Sequence, residues 1–170
     1  MISKGRVWRF GDDINTDLII PGRYLDNYDP AHLASHAMEG VSKEFAKNVR
    51  KGDVVIAGRN FGCGSSREQA VIALKHAGAS AVVAKSFARI FYRNAVNLGL
   101  PAVISSESND VFSDGDEVML DTSAGLLSSV DMARRARMEP MPIHIQRILD
   151  SGGLVPFIKE TLGKRNQGRT

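Results

Sequence analysis

Short runs of consecutive apolar residues punctuate a chain of otherwise mixed polarity: Val54–Ala57, Ala81–Ala84, Pro101–Ile104 and, less purely, Arg6–Phe10. Runs of this length, bounded by turn-forming residues such as Lys51-Gly52-Asp53, read as strands buried on both faces. Two longer stretches between them carry apolar residues at helical spacing. The first, Gln69–Ala77, ends at Gly78. The second, Phe87–Leu98, puts Phe87, Ile90, Phe91, Ala95 and Leu98 on one side and ends at Gly99. A glycine just past the last periodic residue is the usual helix stop. Val54–Ile104 is therefore strand–loop–helix–strand–helix–strand, a parallel-sheet pattern whose ligands bind beyond the carboxyl ends of the strands.

The flanking regions are more polar. Gly11–Arg23 (G-D-D-I-N-T-D-L-I-I-P-G-R) reads as a loop, and Asp29-Pro30 as the cap and first turn of a helix running to about Met38. Ser42–Val49 reads as a second short helix. Beyond Ser105, Gly115–Leu120 and Leu126–Val130 suggest paired strands around Ser123-Ala124-Gly125. Met141–Leu149 then reads as a helix, Gly152-Gly153 as a hinge, and Val155–Leu162 as a last helix covering the sheet. The expected fold class is α/β: one domain over residues 1–162, a mixed sheet with covering helices in β-β-α order, followed by a basic, disordered tail over 163–170.

Composition narrows the function classes. A chain of 170 residues with 43% apolar and 24% charged residues suits one globular domain. A net charge of only +3, with 6% aromatics and no basic-aromatic stripe, argues against nucleic-acid binding. No run approaches a membrane span, and the N-terminus M-I-S-K-G-R-V-W has no apolar leader core. The single cysteine excludes an internal disulfide and any multi-cysteine cluster built by this chain alone, and fits a reduced, cytoplasmic setting. Asp12, Asp13 and Asp17 lack the spacing of a calcium loop and read as turn residues. His32 and His36 stand four apart, but no Glu lies between them and no third ligand is evident. They read as a solvated helix face, and no metal is expected in this chain.

The chemistry concentrates in Gly58–Glu68 (G-R-N-F-G-C-G-S-S-R-E), on the turn from a strand into a helix. Such a loop presents several backbone N–H groups to one point, reinforced by the positive end of the helix. Arg67, at the helix start, can hold a carboxylate through two parallel hydrogen bonds. Four explanations remain open on residue physics. The loop could cradle a phosphate, though neither G-x-x-x-x-G-K-[ST] nor G-x-G-x-x-G is present. Cys63 or a serine could be a nucleophile, though His76 is more than two helical turns away along the chain. A serine could act as a general base, its alkoxide made accessible by surrounding N–H groups and Arg67. Or the segment is a tight turn in which Ser65 or Ser66 caps the helix.

Asn60–Ala70 (N-F-G-C-G-S-S-R-E-Q-A) resembles the signature of the small subunits of 3-isopropylmalate dehydratase and homoaconitase, and of the swivelling C-terminal domain of aconitase. Asp12–Pro21 (D-D-I-N-T-D-L-I-I-P) is similar to an early substrate-side segment of the same superfamily, and Ser86–Pro101 to its second helix. Only the tail lies outside the likeness. The resemblance implies a swivelling β/β/α, aconitase C-terminal-domain-like fold. It also implies a hydro-lyase of leucine biosynthesis that moves a hydroxyl between adjacent carbons of an alkylmalate. The partner would be a large iron–sulfur subunit, in a heterodimer or heterotetramer, carrying the [4Fe–4S] cluster; a homo-oligomer of the isolated chain is allowed. Ser65 would be the base, Ser66 and Gly64 would help bind, and Arg67 would clamp a substrate carboxylate. Gln69 replaces a frequent His. The family's specificity segment falls on Tyr24, Leu25 and Asp26. Homoaconitase-like members carry Arg where this chain has Asp26, and an acid there repels a third carboxylate. That favours an alkyl substituent, although Arg23 is close enough in sequence to take the missing cation's place.

Overall fold

The computed structural model describes residues 1–167, with side chains as far as residue 163. Seven strands form one sheet: β1 (Ile2–Arg9), β2 (Val54–Ala57), β3 (Ala81–Ala84), β4 (Ala102–Ile104), β5 (Glu117–Asp121), β6 (Leu126–Ser129) and β7 (Arg135–Arg137). Among the described residues eight α-helices accompany them: α1 (Thr16–Ile19), α2 (Pro30–Ser35), α3 (Phe45–Asn48), α4 (Glu68–Ala77), α5 (Arg89–Leu98), α6 (Ser108–Val111), α7 (Ile143–Asp150) and α8 (Leu154–Gln167). The strand order is β4-β3-β2-β1-β5-β6-β7. Strands β1 to β4 run parallel and β5 to β7 antiparallel, so the mixed sheet with covering helices is the observed architecture.

The three central runs behave as their sequences demand. Every residue of β2 and β3 is buried. Alternate side chains feed two cores: Val55, Ala57, Val82 and Ala84 face α4 and α5, while Val54, Ile56, Ala81 and Val83 face the antiparallel side with Phe112, Leu120, Leu127 and Met141. A strand packed on both faces has no solvent side, which is why the runs are continuously apolar rather than alternating.

β1 starts earlier than its apolar run. Its first half pairs antiparallel with β5, Ile2 against Asp121 through Arg6 against Glu117. Its second half pairs parallel with β2, Val7 against Val54 through Arg9 against Ile56. Backbone pairing, not burial, makes a strand of I-S-K-G-R. Asp53, 4% exposed, pins this junction: it accepts bonds from Arg6 N at 2.8 Å, Trp8 Nε1 at 2.9 Å and Arg50 N at 2.9 Å. β7 (R-A-R) also lacks an apolar pattern, yet Arg137 O accepts from Ser105 Oγ at 2.7 Å and Glu139 N donates to Ile104 O at 2.8 Å. The sheet thus curls until its two outermost strands, β4 and β7, are tied to each other.

Other boundaries shift for local reasons. α2 is capped by Asp29, whose carboxylate accepts from His32 N at 2.9 Å, but ends at Ser35 rather than near Met38. Met38 takes a left-handed conformation (φ 58°) that no helix continues through. Pro142 delays α7 to Ile143, and α8 continues past the expected Leu162 to Gln167, because one glycine at 163 does not stop a helix. The last three residues of the basic tail, 168–170, lie outside the described residues. Gly152-Gly153, read as a hinge, is a tight turn: Gly153 N donates to Ile148 O at 2.9 Å and Gly152 O accepts from Lys75 Nζ at 3.3 Å.

Candidate active site

The loop between β2 and α4 sits at the carboxyl end of the parallel strands, where the pattern of strands and helices places a ligand. It does not stand alone. It is zipped to the segment after β1: Asp13 N donates to Arg59 O, Gly62 N to Ile14 O and Thr16 N to Cys63 O, each at 2.8 Å. Side chains extend the zip. Asp12 Oδ1 accepts from Arg59 N at 2.7 Å, Asp13 Oδ1 from Asn60 Nδ2 at 2.8 Å, and Thr16 Oγ1 donates to Ser65 O at 3.1 Å. Asp12 and Asp13 are thus turn residues that knit two loops, as their spacing suggested. Gly62 is obligatory here: its φ is +77°, and a Cβ would lie 2.2 Å from the Phe91 ring of α5.

Ser65 and Ser66 emerge from this scaffold exposed, and neither hydroxyl has a hydrogen-bond partner among the described residues. Neither caps the helix: the N-cap is Arg67, which makes no side-chain capping bond. The backbone N–H groups of Gly64, Ser65 and Ser66 likewise find no protein acceptor among the described residues. The capping explanation of the serines is therefore replaced by one in which hydroxyls and amides are left free together.

Arg67 is the most enclosed of the four, its side chain 16% exposed. Its Nη1 donates to Asp17 Oδ1 at 2.5 Å and to Ile20 O at 3.3 Å. Nε and Nη2 have no acceptor among the described residues, leaving one edge of the guanidinium for a bidentate carboxylate. Asp17, read from the sequence as a turn residue, is the anchor of this arginine. It sits at the start of α1, whose N-cap Asn15 accepts from Leu18 N at 3.0 Å. The sole signal for the pairing is the polar spacing of N-T-D, which says nothing about a partner fifty positions away.

The turn Gly22–Tyr24 closes the other side. A Cβ on Gly22 would lie 3.7 Å from Asp17 Oδ1 and 4.0 Å from Arg67 Nη2, so the turn begins against the ion pair. Tyr24 and Leu25 are half-buried; Asp26 is exposed and makes no hydrogen bond or ion pair among the described residues. His36, read as solvated, instead stacks on Tyr24 (ring centroids 3.6 Å, 9° between planes) and meets Glu39 Oε2 through Nδ1 at 2.6 Å. The sequence reading missed Glu39 entirely.

Cys63 is half-exposed, and His76 is nowhere near it. His76 lines a cavity of about 600 Å³ at the opposite ends of the parallel strands, with Ser3, Gly52, Ser80 and Pro101. This cavity is a less suitable reaction site than the loop. Its Lys75, whose pKa is lowered by burial, is spent on the carbonyls of Leu98 (2.5 Å) and Gly152 (3.3 Å). No three His, Cys, Asp or Glu side chains come together as a metal site among the described residues. No helix among them is long and apolar enough to cross a membrane.

The aconitase C-terminal domain family matches residues 12–107. The chain belongs to that family. The family match starts at the zipped aspartates and runs through α5, so it covers every residue placed around Arg67. Relatives extend the likeness across the antiparallel half. The methanogen homoaconitase small subunit of Methanothermobacter thermautotrophicus is 54% identical over 161 residues, 95% of this chain and 93% of the relative. The 3-isopropylmalate dehydratase small subunit 1 of Methanopyrus kandleri is 54% identical over 158 residues, 93% of each chain. A crystal structure of 3-isopropylmalate dehydratase from Methanocaldococcus jannaschii superposes with a TM-score of 0.93 at 48% identity, covering 99% of both chains. The family resemblance and the fold expected from the sequence are thus borne out.

Proposed function

We propose that this chain is the small subunit of a heteromeric 3-isopropylmalate dehydratase, a hydro-lyase that interconverts 2- and 3-isopropylmalate in leucine biosynthesis. The relatives named for that enzyme, at about half identity over nearly the whole chain, support the activity. The observation that carries the roles is the hydroxyl of Ser65, the neighbouring amides and one edge of Arg67, all without partners among the described residues. In this reading Arg67 takes a substrate carboxylate in two parallel bonds, with Asp17 holding the guanidinium in place. Ser65 Oγ removes the proton from the carbon next to that carboxylate. The hydroxyl leaves the neighbouring carbon, a C=C bond forms, and water returns across it in the opposite sense. The amides of Gly64 to Ser66 and the start of α4 stabilise the serine oxygen while it is anionic.

An exposed serine in water is no base. The water exclusion that makes an alkoxide accessible must come from a covering surface, and a large subunit supplies it. With one cysteine, this chain cannot ligate a four-iron cluster. The cluster would belong to that partner and would supply a Lewis acid for the departing hydroxyl. A cytoplasmic location fits the single reduced thiol.

The rival substrate is a tricarboxylic malate, favoured by the equally similar homoaconitase relative. The exposed carboxylate of Asp26 weighs against it. Anaerobic reconstitution with the large subunit decides: formation of the unsaturated acid from 3-isopropylmalate but not from homocitrate is expected. The reverse selectivity would reassign the substrate, and no turnover with a confirmed cluster and complex would remove the enzyme reading.

A further inference from the structure

We propose that Glu39 is a specificity-positioning residue: it fixes the Gly22–Tyr24 turn beside Arg67 and withholds Arg23 from bound substrate. The inference rests on the proposed function for what binds, and on geometry for what holds the turn.

Glu39 collects three donors on one carboxylate. Oε1 accepts from Tyr24 OH at 2.8 Å and from Arg23 Nη2 at 2.7 Å, and Oε2 meets His36 Nδ1 at 2.6 Å. The hydrogen bond to His36, with those to Tyr24 and Arg23, holds its carboxyl down at about 2, so it is ionised throughout the working range. The rings around it leave little slack. Tyr24 stacks on His36 and lies edge-on to His32 at 5.8 Å, and the Arg23 guanidinium stands 4.8 Å from the centre of the Tyr24 ring.

The carboxylate is itself rigidly tied to the site. Its neighbours in sequence are bound to α1: Met38 N donates to Ile19 O at 2.7 Å and Gly40 N to Leu18 O at 3.1 Å. Gly40 presses so close that a Cβ there would lie 2.6 Å from Leu18 Cα. α1 carries Asp17, and Asp17 holds Arg67. A continuous set of short contacts therefore links the carboxylate clamp to Glu39 and, through Glu39, to the turn that walls the clamp.

The consequence is a choice of substituent. With Arg23 drawn to Glu39, its charge is neutralised there, and the next two residues, Tyr24 and Leu25, are half-buried against the core, a setting that suits an uncharged alkyl group. Released, Arg23 stands one residue from Gly22 and adds a second cation next to Arg67, which suits a third carboxylate. Asp26 is then not the only brake on tricarboxylic substrates.

The test uses the reconstituted complex and the free chain. In Glu39→Gln, the inhibition constant of homocitrate against 3-isopropylmalate turnover should fall about tenfold. The KM for 3-isopropylmalate should rise, with the change falling on KM more than on kcat. The double variant Arg23→Ala/Glu39→Gln should return the homocitrate constant to the wild-type value. In the free full-length chain, the ring-proton shifts of Tyr24 and His36 should move toward unstacked values in Glu39→Ala. An unchanged homocitrate constant in Glu39→Gln, or a change that survives the double variant, overturns the proposal. If the wild-type complex turns over no malate, the function reading fails by itself. The free-chain spectra then still decide whether Glu39 holds the turn, and unmoved ring shifts overturn it.

Discussion

The Gly58–Glu68 loop and the Gly22–Tyr24 turn flank the same guanidinium, yet they are held by different means. The loop is fixed first by its backbone, through four amide bonds to the segment after β1 and a glycine whose positive φ and contact with Phe91 leave no room for a side chain, with bonds from Asp12, Asp13 and Thr16 added to them. The turn is fixed by side chains converging on one carboxylate. Backbone anchoring is indifferent to most substitutions; side-chain anchoring changes with any of its members. On the proposed function, reaction chemistry sits on the part that sequence drift disturbs least, and substrate choice on the part that a single replacement can retune.

The comparison can be broken most sharply at Ser65. Ser65→Ala should lower kcat of the reconstituted enzyme by roughly 10²–10⁴, the usual span for a lost general base, with subunit association unchanged; full turnover would take Ser65 out of the chemistry. Gly62→Ala attacks the backbone instead. Left-handed strain plus the clash with Phe91 should cost roughly 2–5 kcal/mol of stability, read as a lower melting temperature of the free chain, and an unshifted transition would mean the zip tolerates a side chain. Arg67→Lys keeps the charge and loses the fork. The KM for 3-isopropylmalate should rise about 10–100-fold, as for loss of a charge-assisted bond, and an unaltered KM would show that no carboxylate is held there.

The smallest effect belongs to acid. Glu39 has its carboxyl lowered from 4.5 to about 2. A depressed acid stabilises the folded chain above its unfolded value and loses that contribution as pH falls. The turn should therefore be intact at pH 5 and above and loosen between about pH 4.5 and 2, visible as movement of the Tyr24 and His36 ring signals. Signals still unmoved once the pH is taken below about 2 would mean another group holds the turn.

How much of this was legible in advance follows from the same physics. β2, β3 and β4 announce themselves because burial on both faces leaves only Val, Ile and Ala. The Gly-rich loop and Arg67 are readable because glycine spacing and helix starts are local features. The first half of β1 and all of β7 are not, since I-S-K-G and R-A-R become strands by pairing with partners far along the chain. Asp17 and Glu39 were missed for a related reason. A carboxylate's role depends on which cations reach it, and those of Asp17 lie fifty positions on. For Glu39 the partners, Arg23 and Tyr24, precede it by a loop and the whole of α2.

The split pairing of β1 also sets the order in which the molecule can form. The strand is made first but is shared between halves made later: Val7 waits for Val54, and Ile2 waits for Asp121, more than a hundred residues downstream. Closing such distant pairings is slow, because chain entropy is lost before contacts repay it. The parallel half, whose strands follow each other through α4 and α5, is positioned to assemble first, with the Gly58–Glu68 loop already on it. The antiparallel half then locks on through the opening strand, and refolding should show a late phase that reports β1–β5 pairing.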